Sequence, residues 1–252
     1  MNVGMPAKVE IDYSLYYRRW HNESAAHFAQ AAVHLDRWLG PSLAHLPTSA
    51  RVLDYGCGFG LLTNYLLQRF PNTRGVDASA QQVAVARGQG LPVAHVSIAQ
   101  FPAWAQAERE GFDAVFLFDV LEHVPPEAQM VFLRDLVGTL RPGGEIFIKV
   151  PNASSLLASR WRYNDWTHCA SFTECSLEFV CLHAGLTDIV PLNDDSSAPV
   201  RWPWLPRWSL RRHYAKHLVR WLWRQYLRAE IGADEQHIRL GLNLMVKATR
   251  AA

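Results

Sequence analysis

The chain has 252 residues, 49% of them hydrophobic, and a formal net charge of +2; this supports one substantial core, so a single domain with an insertion is expected. No apolar run reaches the roughly 18 residues that a membrane-spanning helix needs, and Met1 to Glu10 lacks the basic-then-apolar pattern of a signal peptide. Four cysteines without a CxxC pair (Cys57, Cys169, Cys175 and Cys181) point to reduced thiols and a cytoplasmic protein, and the last three lie six apart, a spacing that matches no common zinc pattern and signals no metal.

Residues 1–49 read as an N-terminal helical cap of one or two helices, with Tyr13, Tyr16, Tyr17, Trp20 and Phe28 as apolar content. Two roles fit it: cover for the sheet edge, or a lid over a ligand. Residues 50–252 form the main unit. Short apolar runs alternate with helical patterns there, which predicts a parallel sheet covered by helices. Strands are expected near 51–55, 73–77, 93–97, 112–119 and 144–150, and helices near 59–70, 79–88, 126–140 and 173–184. Thr173 can cap the last helix and Gly185 can end it. A sixth strand follows at Leu186 to Val190 and a seventh at Leu240 to Ala248.

The densest signal is Val52-Leu53-Asp54-Tyr55-Gly56-Cys57-Gly58-Phe59-Gly60, followed by the helical run from Leu61 to Leu67. A strand ends on a carboxylate, and three glycines turn directly into a helix. Such a unit lets a ligand approach bare backbone at a helix N-terminus. The next strand ends on Asp77, 17 positions after Gly60, where a carboxylate suits a ribose diol. Asp54 is a poor neighbour for a pyrophosphate and a good one for an ammonium, which argues against a dinucleotide.

Asp54, Gly56, Gly58 and Gly60 fill the first motif of the class I S-adenosylmethionine-dependent methyltransferases, which this chain resembles. Phe112 to Pro125 is similar to that family's fourth strand and following turn, and Leu140 to Ile148 to its next loop and fifth strand. The resemblance covers about residues 50–150. It implies an α/β, Rossmann-like, seven-stranded, mostly parallel sheet of order 3-2-1-4-5-7-6. Helices would lie on both faces and a helical insertion between strands six and seven.

The resemblance also implies S-adenosyl-L-methionine as cofactor. Gly56, Cys57, Gly58 and Gly60 would lie along its methionine portion, with Asp54 near the amino group. Asp77 would accept from the ribose hydroxyls and Ala78 would pack on the adenine. Many relatives place an acid after the third strand, but here the segment is Val96-Ser97-Ile98-Ala99-Gln100. Ser97, the backbone around Ile98, or Gln100 could substitute. Asp119 and Val120 would lie beneath the methyl donor. His123 would touch cofactor or acceptor, or else cap a helix.

After the fifth strand, Asp165-Trp166-Thr167-His168 with Phe172-Thr173 looks like a pattern in bacterial methyltransferases of surface-polysaccharide gene clusters. It also resembles part of the ubiquinone O-methyltransferase group. His168 is therefore the candidate general base, with Asp165 to orient it or to bind a substrate hydroxyl; a loop-pinning histidine is the alternative. These features imply an O-methyltransferase for a sugar hydroxyl or terminal phosphate in surface-glycan assembly. A quinone-like acceptor, or a non-catalytic cofactor-binding subunit, is the alternative.

Residues 191–237 differ in kind. Between Arg201 and Arg228 there are eight basic residues and no acidic one, and five of the ten tryptophans. The rest of the chain holds 17 basic against 23 acidic residues, a balance of −6, and no RNA-binding module is visible, so nucleic acid is not expected. Leu210, Tyr214, Leu218, Leu222 and Tyr226 form one helical ridge. Arg212, Lys216, Arg220, Arg224 and Arg228 form another on the opposite face. Three partners fit this helix: an anionic membrane surface with a lipid-linked saccharide acceptor, a second copy of the chain, or the substrate itself. Because strand six ends at the carboxyl edge of the sheet, the insertion is expected beside the active site.

Overall fold

A computed structural model of the chain describes residues 25–109, 111–192 and 207–251. Tyr13, Tyr16, Tyr17, Trp20, Trp202 and Trp204 therefore lie outside the described residues, as do the side chains of Trp208, Leu210 and Arg212. The seven expected strands are β1 (Arg51–Tyr55), β2 (Asn72–Asp77), β3 (Val93–His95), β4 (Phe112–Phe118), β5 (Leu140–Pro151), β6 (Leu186–Leu192) and β7 (Asn243–Arg250). They form one sheet in the order β3-β2-β1-β4-β5-β7-β6. Only β7 runs against its neighbours.

The helices among the described residues are α1 (Ala25–Trp38), α2 (Gly40–Leu43), α3 (Leu61–Arg69), α4 (Ala80–Gly88) and α5 (Phe101–Ala107), then α6 (Pro126–Val137), α7 (Ala158–Asn164), α8 (Glu174–His183) and α9 (Arg207–Ile231). Successive strand residues point to opposite faces, and both faces are buried. On one face Val52, Ala114, Phe116 and Phe147 meet Leu35, Leu43, Tyr65 and Leu66 of α1 to α3. On the other, Leu53, Val115, Leu117 and Ile146 meet Phe101, Leu133, Leu177 and Val180 of α5, α6 and α8. Double burial explains why β4 reads as a continuous apolar run and not as an alternation.

Several element ends shift from their expected places, each for a local reason. β3 stops at His95, before residue 97, because Gln100 Oε1 takes the Ser97 N–H and removes it from the ladder. β4 stops before Asp119, whose φ of 56° turns the chain out of the sheet. β5 starts at Leu140, since Phe112 pairs with that residue before the register shifts ahead of Glu145. The helices α5 and α7 were not expected; the first carries Pro102 in its first turn, a start signal that a short segment easily hides. Thr173 caps α8, as expected, within a reciprocal capping box with Ser176.

The insertion leaves β6 at Leu192, opposite Met245, and rejoins β7 at Asn243, opposite Pro151. Both points lie at the carboxyl end of β5, as the topology requires. The two ridges of α9 have different surroundings. Arg224 and Arg228 turn towards the 3-10 segment Gly232–His237 and both donate to the buried Glu235, at 2.8 Å. Tyr214, Leu218, Leu222 and Tyr226 are exposed. Trp221 is exposed, whereas Trp223 is half-buried and stacks on Tyr226 with ring centroids 5.1 Å apart. No helix among the described residues is long and apolar enough to cross a membrane.

Candidate active site

The glycine turn joins β1 to α3. Gly56, Gly58 and Gly60 all have positive φ, at 76°, 53° and 91°, a conformation that side chains resist. The turn is held from behind: the N–H groups of Gly56 and Cys57 both donate to the Val76 carbonyl. A Cβ at Gly56 would lie 2.2 Å from Val120 Cγ2, so the first turn needs glycine to meet the end of β4. A Cβ at Gly58 would meet nothing within 4 Å. Gly58 thus borders open space at the start of a helix, the cradle expected for a ligand.

Asp77 ends β2 beside this cradle. Its Oδ2 accepts from the Gly58 N–H at 2.8 Å and its Oδ1 from the Ser79 N–H at 2.7 Å. Those bonds fix the carboxylate and leave each oxygen a further lone pair for ribose hydroxyls. Burial raises its pKa, and the two N–H groups oppose that rise. Asp54 is more deeply set. Its Oδ2 accepts from Thr63 Oγ1 at 2.6 Å, and burial raises its pKa to about 7, the Thr63 hydrogen bond opposing and nearby Asp77 adding to the rise. Two neighbouring carboxylates suit a ligand that carries positive charge.

The other expected cofactor positions divide by exposure. Ala78 and Ile98 are open to solvent, Ile98 at 83%, and present apolar surface at the ends of β2 and β3. Ser97 donates its N–H and its hydroxyl to Gln100 Oε1, so these two side chains form one unit. Cys57 is corrected. Its thiol faces Val83, Ala86 and Val93 in the core, and burial, then Asp54 and Asp77, raise its pKa steeply. Only its backbone can border the ligand. The residues thus fit S-adenosylmethionine: open glycine backbone, a positioned ribose carboxylate, acid for a cation, and exposed apolar side chains for the adenine.

A second group lies past β4. Asp119 pairs with Lys149 at 2.6 Å, and Val120 touches the glycine turn. The next residues form the 3-10 turn Leu121–His123. The loop after β5 folds back onto it, the N–H groups of Cys169 and Ala170 both donating to the Glu122 carbonyl. This brings His123 and His168 edge to face, with ring centroids 4.7 Å apart.

Donor and acceptor rules assign the tautomers. His168 Nδ1 lies 3.0 Å from the Trp161 carbonyl, which can only accept, so Nδ1 carries the proton and Nε2 the lone pair. Thr167 Oγ1 donates to Asp165 Oδ1 at 2.6 Å and therefore accepts from His123 Nδ1 at 2.8 Å. His123 Nε2 then also carries a lone pair. Burial, then nearby His168, lower the His123 pKa to about 4, so this ring is neutral near pH 7. Asp165 was expected to orient His168 or to bind a substrate hydroxyl. Its carboxylate reaches His123 through Thr167, while the Trp161 carbonyl holds His168. Thr167, its neighbour in the same run, is the relay that sequence reasoning passed over.

Glu122 was also passed over as a functional residue. It is 1% exposed, its Oε1 is 4.0 Å from His168 Nε2, and its Oε2 has no hydrogen-bond partner. Burial, then Asp119, raise its pKa well above the usual range. Asn152 is a further omission. This buried amide donates to the Arg239 and Gly241 carbonyls and accepts from the Ser154 N–H. It ties the loop that carries His168 to the return of the insertion. On the segment that leads to His168, Tyr163 and Trp166 stand 75% and 94% exposed.

A family profile described as "Methyltransferase domain" matches residues 25–190. The chain is similar to the trans-aconitate 2-methyltransferase of Azoarcus sp. (strain BH72), 36% identical over 136 residues, covering 52% of this chain and 51% of that protein. It is similar to the ubiquinone biosynthesis O-methyltransferase of Pseudomonas aeruginosa (strain UCBPP-PA14), 36% identical over 105 residues, covering 40% of this chain and 44% of that protein. The chain spans about half, or less, of the length of these curated relatives. Among solved structures it resembles a SAM-dependent methyltransferase from Archaeoglobus fulgidus, with a TM-score of 0.63 and 17% identity, over 95% of this chain and 100% of that one. At that identity the likeness speaks for the fold.

Proposed function

The chain belongs to the methyltransferase-domain family, and from that premise we propose that it is an S-adenosylmethionine-dependent O-methyltransferase acting on a hydroxyl of a small, ring-shaped acceptor. The observation that carries the reading is the pair of imidazoles, His123 and His168, held beside the glycine cradle by the 3-10 turn after β4. Bound there, S-adenosylmethionine supplies a methyl group on a sulfonium: the acceptor oxygen gains the carbon, sulfur keeps the bonding pair, and the hydroxyl proton must leave. His168 presents its Nε2 lone pair for that proton, because the Trp161 carbonyl holds the other ring nitrogen protonated. Asp165 and Thr167 position His123, and Glu122 backs the pair.

Tyr163 and Trp166, on the segment that carries His168, expose aromatic rings that would serve as an apolar platform for an acceptor. A phenolic precursor of a quinone fits such a platform, and one reported relative carries a ubiquinone-biosynthesis name. A sugar hydroxyl or terminal phosphate of a surface glycan is the second reading, because a Trp–Tyr platform also packs against sugar faces. The names of the reported relatives refer to trans-aconitate and ubiquinone, and lend it no support.

Transfer of radiolabelled methyl from S-adenosylmethionine into bacterial extract, followed by solvent partition, separates the readings. Label in the apolar small-molecule fraction is the expected result; label in the saccharide fraction would promote the glycan. No label in either, with cofactor still bound, would make the chain a cofactor-binding subunit. The substitution His168→Ala should lower kcat by roughly 10²–10⁴-fold with unchanged binding of S-adenosylhomocysteine.

A further inference from the structure

We propose that Glu122, His123 and His168 bind a divalent first-row transition-metal cation, and that this cation holds the acceptor oxygen. Each residue offers one ligand atom, and the three atoms lie within 4.8 Å of one another. Ligand atoms at about 2.0–2.2 Å from a tetrahedral zinc stand roughly 3.5 Å apart. Rotation of the Glu122 carboxylate and small ring tilts close that difference. Two imidazoles and one carboxylate select manganese, iron, cobalt or zinc over calcium, whose sites are built from oxygen. Glu122 and His123 are neighbours but His168 lies 45 residues further on, so no ligand spacing is visible in the sequence.

Two independent observations point to a ligand. The first is Glu122 Oε2, which is buried and lacks a hydrogen-bond partner. A carboxylate in that condition is costly. Protonation removes the charge but leaves the carboxyl group unpaired, because His168 Nε2, at 4.0 Å from Oε1, is beyond hydrogen-bond reach. A cation between the carboxylate and the rings supplies the missing partner. The second is the outer shell. Both imidazoles donate from Nδ1, His168 to the Trp161 carbonyl and His123 to Thr167, which in turn donates to Asp165. This pattern of carbonyl and carboxylate behind each ring sets the tautomer that ligates through Nε2. Lys149 is the nearby charge of the wrong sign, and Asp119 neutralises it at 2.6 Å.

This inference rests on the methyl-transfer reading for its purpose but not for its test. With the cation in place, His168 and His123 act on the acceptor through the metal. A metal-bound hydroxyl loses its proton to water at lower pH than a free one, and the oxygen is held for in-line attack on the methyl carbon. Direct proton uptake by His168 then belongs to the metal-free protein alone.

The experiment uses the full chain, dialysed against EDTA and titrated with Mn²⁺ by electron paramagnetic resonance and with Co²⁺ by visible absorption. Saturable binding at one site is expected, with nitrogen-ligand bands for Co²⁺. Glu122→Gln and His168→Gln should each weaken binding at least tenfold. Thr167→Val, which disturbs only the outer shell, should weaken it about 10–100-fold. S-adenosylhomocysteine affinity and the metal-free melting temperature report folding and the cofactor site separately, so a failed metal site is distinguished from a failed methyltransferase reading. Absence of saturable binding at millimolar Mn²⁺ and Co²⁺ overturns the proposal, as does binding that survives both ligand substitutions.

Discussion

At the scale of single residues, Asp54 carries the clearest pH signature. Its carboxyl sits in the core behind the cradle, and burial raises its pKa to about 7. The folded value exceeds the unfolded one, so the stability this group contributes is complete at low pH. It is lost as the pH climbs from about 4 through about 7. A cationic ligand reverses the preference, since it favours the ionised form. Affinity for S-adenosylmethionine is therefore expected to rise from pH 6 to 8, by up to about tenfold per unit below pH 7. Calorimetric titration at several pH values checks this, and Asp54→Asn should flatten the profile. His123 does not share the window, because burial keeps it neutral to about pH 4.

At the scale of elements, α9 is the segment whose two faces differ most. A membrane, a second copy or packing, and a substrate were each expected to fit this helix; within the chain, Arg224 and Arg228 converge on the buried Glu235. Arg224 also donates to the Glu235 and Ile238 carbonyls. Removing the acid by Glu235→Gln should therefore loosen this joint, raising amide hydrogen exchange across the second half of α9 while that of β4 and β5 stays unchanged. Leu218, Leu222 and Tyr226 are exposed along the opposite ridge, where an expected partner would dock. If that partner is an anionic membrane, binding to vesicles should persist at high salt, because apolar contact and not these arginines would carry it. If it is a second copy, the ridge variant Leu218→Glu with Leu222→Glu should shift the sedimentation coefficient.

At the scale of the whole molecule, the central strands bind the site to stability. Phe116 and Phe147 stack at 4.7 Å, almost parallel, on neighbouring strands and are fully buried. They sit on the face covered by α1 to α3, opposite the packing of Leu117 and Ile148. Phe147→Ala should cost about 3–5 kcal/mol, measured by urea unfolding. Residual activity in the folded fraction should be close to normal, because the change lies in the core and not at the carboxyl edge.

Much of the fold was legible because its signals are local. The glycine run after β1, the carboxylate that ends β2 and the unbroken apolar strand β4 each follow from short-range sterics and burial. The resemblance of residues 50–150 to a known family then supplied the strand order, which the hydrogen-bond ladder reproduces. The backbone of the candidate cofactor cradle was legible for the same reason, Asp54 to Asp77 being one strand–turn–helix–strand unit. The acceptor half was not, for Thr167 and Glu122 have no periodicity to betray them. Their meaning arises only when the loop after β5 bonds back to the turn after β4, across some forty residues of chain. The direction in which α9 turns its arginines was hidden likewise, because amphipathic spacing tells that two faces differ and not which one finds a partner. By itself, the sequence determined the backbone's turns, its strands and the cofactor cradle, since these depend on each residue's own sterics and its near neighbours. Only the tertiary structure decided which imidazoles, carboxylates and cations meet, since charge and hydrogen bonding act through space and the chain alone does not measure that distance.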